Sequence, residues 1–358
     1  LKIKGKKHDA RIQGAKGARV TTPNRVKNAM ALIERFKGKK VCVVGDIIAD
    51  IYIFGKPYRL SREAPVVVVK YEGERLYPGS AGNTINNLLA LGAHVYPIGF
   101  IGQDTIGNRL MEYFAQYKNI TTDGIMRYRG ETITKTRILA GDTHTSKQQV
   151  IRIDKDMVRE ISGQEQKRFV KRVKEVASSM DAFVVSDYGH GAVTEEVIDL
   201  MRAIAKHTVV VGDSRYNLQA FKGVTIITPN EGEAYRLSSL DETHDIEEVG
   251  TTIMGSMDLS ALLITRGNRG MSLFLDNGRI YHIPISGKDD VTDVTGAGDT
   301  VCAAVALSLA SGADFYTASH IANVAAGVVV MKRGTATVTV DELKEAMRVY
   351  GTHHRKAL

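Results

Sequence analysis

Between residues 291 and 312 the chain reads VTDVTGAGDTVCAAVALSLASG, with Gly296, Ala297 and Gly298 directly before Asp299 and a long apolar run. If that run is a helix, its first N–H groups lack partners within it, and its dipole favours an anion at that end. Glycine permits the tight turn and lets a phosphate approach the backbone. A carboxylate beside an anion pocket is electrostatically awkward unless it removes a proton or a metal accompanies it. Asp299 is therefore a candidate base for a hydroxyl that attacks phosphorus. An N-cap aspartate behind a flexible turn accounts for the same letters.

Other segments narrow the choice. The phosphate loop G-x-x-x-x-G-K-[S/T] is missing, and GSAGN at 79–83 is no dinucleotide G-x-G-x-x-G. Asn230 and Glu233, in TPNEGE, share a face if the segment is helical, though an Asn cap with a first-turn Glu has the same spelling. Lys135 and Arg137 alternate onto one face of a candidate strand, where Arg152 could join them; a solvated edge strand would read alike.

These residues need a scaffold. The apolar run VCVVGD (41–46) suits a buried parallel strand whose carboxyl end, at Asp46, opens onto a site. After about residue 160, strands AFVVSD (182–187), TVVVGD (208–213), VTIITPN (224–230) and ALLITRG (261–267) alternate with helical segments. A hairpin at 271–283 and helices at 297–310 and 314–330 follow. This rhythm predicts a largely parallel sheet covered on both faces. The β-rich stretches 64–72, 131–140 and 148–154 break the rhythm and read as a small projecting sheet, a lid or dimer surface.

The 358 residues carry a formal charge of +8, but residues 1–40 hold 13 Lys/Arg against two acids, leaving 35 against 38 for the rest. The body is thus slightly acidic. The basic extension lacks aromatic residues for base stacking and any nucleic-acid module, so a nucleic-acid partner is not expected and the extension stays unexplained. No apolar run approaches the roughly 20 residues of a membrane span, and no apolar leader opens the chain. Cys42 and Cys302 read as buried thiols in a reducing compartment, the cytoplasm.

Taken together, residues 24–348 resemble the ribokinase-like (PfkB) carbohydrate kinases. DVTGAGDT (293–300) matches their carboxyl-terminal signature, and PGSAGN (78–83) lies where their glycine signature lies. The resemblance implies an α/β three-layer fold: a central mostly parallel sheet, helices on both faces and a small β lid. It divides the chain into a basic extension (1–23), a kinase domain (24–350) with lid segments at about 51–75 and 125–154, and a short tail (351–358). It implies ATP and Mg²⁺, with a monovalent cation such as K⁺ as an optional addition.

Position by position, Asp299 resembles the family's base and Gly296–Gly298 its anion hole. Asn230 and Glu233 resemble the N-x-x-E pair that organises Mg²⁺ through water. Thr265 and Gly267, with Arg266 and Gly270 nearby, resemble the nucleotide-side element, and Asn323 the residue near the adenine. Asp46, Gly79, Ser80 and Asn83 would meet the sugar, although a strand-end turn aspartate also explains Asp46. Segments 36–50, 60–70, 132–137, 148–154, 186–191 and 227–233 resemble the heptose 7-phosphate kinase branch, where Lys135, Arg137 and Arg152 would meet a sugar phosphate. Within that branch PGGAAN is usual where Ser80 and Gly82 stand here, His190 replaces a lysine, and Ser214 a proline. The implied reaction is phosphorylation of the C1 hydroxyl of the heptose 7-phosphate. A kinase for another sugar or nucleoside, or a non-catalytic sugar-binding protein, would share much of this sequence. The family's lid often pairs with a second subunit, and VVVV at 66–69 suits such an edge, so a homodimer is expected with Lys135 and Arg137 turned to the sugar.

Overall fold

The computed structural model describes residues 22–141, 147–156, 161–286, 293–332 and 334–353. Most of the basic extension and of the C-terminal tail lies outside these. Helix α1 (Thr22–Glu34) precedes strand β1 (Lys40–Gly45), after which β2 (Ile47–Leu60) and β3 (Val67–Ser80) form a separate hairpin. Helix α2 (Ala81–Ala90), β4 (His94–Gly102), α3 (Thr105–Ala115) and β5 (Ile125–Tyr128) return to the first sheet. Strands β6 (Thr134–Ala140) and β7 (Gln148–Lys155) complete the second.

Alternation then resumes with α4 (Gly163–Val176), β8 (Ala182–Asp187), α5 (Glu195–Ala205), β9 (Val209–Ser214) and β10 (Ile226–Ile227). Helices α6 (Glu231–Ser238) and α7 (Ile246–Met257) lead to β11 (Ala261–Thr265) and the hairpin β12 (Met271–Leu275) and β13 (Ile280–Ile283). Helices α8 (Ala297–Ala310), α9 (Phe315–Val329) and α10 (Val340–His353) close the chain.

The large sheet runs β13-β12-β11-β10-β9-β8-β1-β4-β5. It is parallel from β5 to β11, and only the β12–β13 hairpin edge is antiparallel. Its strands are apolar on both sides because each side is covered. Val41 and Val43 of β1 enter one apolar layer with α2 and α8, while Cys42 and Val44 enter the other with α4, α5 and α7. The same alternation divides Ala182 and Val184 from Phe183 and Val185. Helix α8 is apolar all round because it is buried along its length. Both cysteines are buried free thiols, pushed up in pKa chiefly by burial.

The four-stranded sheet, β3-β2-β6-β7, is the expected lid. One boundary moves: residues 125–128 form an edge of the large sheet, so the second lid segment starts at β6. Register places Asp50, Tyr52, Lys135, Arg137, Arg152 and Asp154 on one face of the lid. Ile53, Ile138, Ile151 and Ile153 occupy the opposite face, where Ile151 and Ile153 are half exposed.

Candidate active site

The carboxyl end of the parallel sheet carries a cavity of about 490 Å³. Its polar end is lined by Tyr188, Asp213, Asn230, Glu233, Ala297 and Gly298; its apolar end by Met271, Ile285, Ala326, Gly327 and Val330. A molecule with an anionic head and a flat apolar body fits such a lining.

Asp299 lies in the first turn of α8 and is 5 % exposed. Helix α2 holds it: Asn83 Nδ2 donates to Oδ2 at 2.7 Å and Thr84 Oγ1 donates to Oδ1 at 3.2 Å. The Tyr188 hydroxyl donates to the same Oδ1 at 3.2 Å. Burial raises its pKa to about 6, against the pull of these three donors. The next residue, Thr300, donates its Oγ1 to Asn87 Oδ1 at 2.9 Å, so the i, i+4 pair Asn83 and Asn87 clamps the start of α8. Gly296 is the N-cap at φ 80° and supplies no side-chain cap, leaving the first turn open to an anion. A Cβ on Gly296 would meet Asn83 Nδ2 at 2.3 Å, so glycine is needed there on two counts.

Asn230 and Glu233 form a capping box on α6: Asn230 Oδ1 accepts from Glu233 N, and Glu233 Oε2 from Asn230 N, each at 2.9 Å. The structural explanation of their spacing therefore holds, yet both also line the cavity. Opposite stands Asp213, at the end of β9. Burial and then the neighbouring carboxylates of Asp299, Glu233 and Asp187 push its carboxyl well up. Crowded oxygen ligands of this kind suit a hard divalent cation, although among the described residues no cluster of three His, Cys, Asp or Glu forms a metal cage. Thr265, Gly267 and Gly270 also line the cavity. Arg266 does not: it turns to Glu231 and to Ser272 Oγ, 3.3 Å away.

On the lid, Arg137 pairs with Asp50, both largely buried. Lys135 is 8 % exposed and stands over the Tyr188 ring, 5.4 Å from its centroid. Burial lowers its pKa. Arg152 shares that face but is held in a fork by Asp154, at 2.7 and 2.6 Å. Gly79 makes room for Asp50, whose Oδ2 a Cβ would meet at 2.4 Å. Ser80 holds φ 53° at the start of α2, a backbone that favours the glycine usual in the resembling branch.

Asp46 needs correction as a sugar contact. It is fully buried, and its oxygens accept the backbone N–H groups of Tyr188, His190 and Ala192 at 3.0, 3.0 and 3.1 Å. It ties down the 188–192 loop. The lid carboxylate is Asp50, four residues later. Sequence reasoning also missed Thr84, Tyr188 and Asp213, which no local motif ties to Asp299.

Residues 38–342 match the profile of the pfkB family carbohydrate kinases, and the chain belongs to that family. It is 38% identical over 322 residues to the bifunctional protein HldE of Gluconobacter oxydans (strain 621H), covering 88% of this chain and 66% of that protein. The HldE of Trichlorobacter lovleyi is likewise 38% identical over 323 residues, with 88% and 64% covered. The chain thus spans just under two thirds of the length of these relatives. Phosphofructokinase-2 from Escherichia coli, in complex with potassium, superposes with a TM-score of 0.73 at 17% identity, covering 88% of this chain and 99% of that one. Ribokinase from Arabidopsis thaliana, complexed with ribose and ATP, gives 0.66 at 20%, with 87% and 99% covered. The fold is ribokinase-like, and the chemistry is that of an ATP-dependent carbohydrate kinase. Among the described residues no helix is long and apolar enough to cross a membrane.

Proposed function

We propose that the chain transfers the γ-phosphoryl group of ATP to the C1 hydroxyl of D-glycero-β-D-manno-heptose 7-phosphate, releasing ADP and the 1,7-bisphosphate. The observation that carries this reading is one arrangement: buried Asp299 beside an uncapped helix start, with Lys135 and Arg137 on the lid face near it. The extent of identity to the HldE proteins supports the same substrate class.

The nucleotide occupies the cavity with its phosphates toward Gly298 and its base toward Ile285 and Gly327. Asp299 takes the proton of the C1 hydroxyl as the new O–P bond forms and the bond to the β-phosphate oxygen breaks. Backbone N–H groups of the first turn of α8 receive the charge that grows on the phosphoryl oxygens. Asp213, Asn230 and Glu233 would hold Mg²⁺, which would neutralise charge on the phosphates. A monovalent cation such as K⁺ belongs to the same proposal. Asp50 accepts from sugar hydroxyls, and Lys135 and Arg137 meet the 7-phosphate. The lid excludes water, which limits ATP hydrolysis. Residues 24–350 form the kinase unit, which works in the cytoplasm as a homodimer joined through the apolar lid face.

The test is ADP release across a panel of sugars, each with and without its terminal phosphate. Preference for the heptose 7-phosphate supports the reading. Preference for an unphosphorylated sugar or a nucleoside would remove the role given to Lys135 and Arg137. Sugar-phosphate binding without ATP turnover would make the chain a binding protein instead.

A further inference from the structure

Asn323 sits on α9, one turn before Gly327, and is 3 % exposed. Its side chain does not project freely into the cavity it lines. One Nδ2 hydrogen is spent on the carbonyl of Pro284, 2.8 Å away.

Residues 284–286 form a short strap after β13, and Ile285 and Ser286 wall the apolar end of the cavity. The strap is pressed between two glycines. A Cβ on Gly270 would meet Ile283 O at 2.0 Å, and one on Gly327 would meet Ser286 O at 2.1 Å. Glycine gaps let the strap lie close but do not fix its position, because they add no bond. The hydrogen bond from Asn323 does.

Tyr350, on α10, braces the helix that carries Asn323. It is 3 % exposed, and its hydroxyl lies 3.1 Å from His320 Nδ1, one turn before Asn323 on the same helix face. The His320 ring packs on Tyr316 at 4.5 Å, and Tyr316 on Tyr281 of β13 at 4.8 Å. The contacts run from β13 through Tyr316 and His320 to Tyr350, while Asn323, on the same face of α9, bonds the strap that continues β13.

We infer that Tyr350 and Asn323 are positioning residues for the nucleotide, holding the 284–286 strap against the end of the cavity that receives the base. The C-terminal helix thereby becomes part of the nucleotide site without touching the ligand. This rests on the reading that the cavity takes a nucleotide. It is independent of which sugar is phosphorylated.

The experiment is calorimetric titration of the full chain with ADP and with a non-hydrolysable ATP analogue, in wild type, Tyr350→Phe, Asn323→Ala and the double variant. Tyr350→Phe keeps the ring and removes one hydrogen-bonding group. Nucleotide affinity is expected to fall roughly three- to tenfold, the range of one net hydrogen bond, with sugar KM within about twofold. The double variant should lose no more than Asn323→Ala alone, because both act on one strap. Unchanged affinity in Tyr350→Phe would overturn the inference, as would additive losses or a parallel rise in both KM values. Thermal melting separates a folding defect from a site effect. Wild type that binds no nucleotide would overturn the nucleotide reading itself, and this inference with it.

Discussion

Asn83 donates its side-chain amide to Asp299 Oδ2 across 2.7 Å, joining helices that begin 216 residues apart in sequence. The bond lies in a buried pocket, where a charge-assisted hydrogen bond gains and an unpaired carboxylate loses most. The two glycine-rich signatures thus meet at one carboxylate. The second supplies it and the first holds it in place.

The protonation of Asp299 sets a pH dependence. Its carboxyl titrates at about 6 in the folded chain, against 3.8 ordinarily, and only the ionised form accepts a proton. Activity at limiting substrate should therefore rise about tenfold per pH unit below 6 and level off above 7. Stability runs the other way. The folded state binds this proton more tightly, so the contribution is full below pH 3.8 and is lost as pH rises through about 6. The two-unit difference corresponds to about 3 kcal/mol at most. A pH–rate profile with no acidic limb near 6 would contradict the assignment.

Lys135 is buried over Tyr188 at a cost to its charge. Lys135→Met should then leave the melting temperature unchanged or slightly raised. The KM for a sugar phosphate should rise by one to two orders of magnitude, the loss of a charge-assisted contact, with ATP KM little altered. Equal effects on both KM values would move Lys135 out of the sugar subsite.

Ser80 carries a left-handed φ of 53°. Replacing it by glycine removes strain worth about 1 kcal/mol, more than glycine's entropy loses. Ser80→Gly should raise the denaturation midpoint, read in urea with an unchanged slope. A lower midpoint would mean that the hydroxyl contributes more than the backbone costs.

The lid's outer face leaves Ile151 and Ile153 about half exposed, 50% and 54%. A charge there should break the proposed homodimer. Light scattering of Ile151→Asp at micromolar concentration should give half the wild-type mass, and sugar binding should weaken more than nucleotide binding. A wild-type monomer would refute the homodimer, and a variant of unchanged mass would place its interface elsewhere.

Much of this was readable in the residues. The all-apolar strands VCVV and AFVV required a sheet covered on both sides, and GAG before an apolar run required an open helix start. The two carboxylates of GDIIAD could not be ranked from sequence. β1 ends at Gly45, so Asp46 meets the backbone of a loop 142 residues on, while Asp50 rides β2 into the lid. That change of sheet has no local signature, and IIADIYIFG continues the apolar character of β1 without a break. Thr84, Tyr188 and Asp213 were hidden for a related reason: each reaches Asp299 from a different element. Helix α7 was also missed, because EEVGTTIMGSM carries two glycines and two threonines that weaken helix propensity.

Whether Asp299 carries the transfer is decided by Asp299→Asn, measuring turnover and ADP affinity on the same preparation. Turnover should fall at least about 100-fold, the scale of a missing general base. ADP affinity should stay within about threefold, and the melting temperature should hold or rise, since a buried charge is gone. Turnover near wild type, with affinity intact, would contradict that role for Asp299.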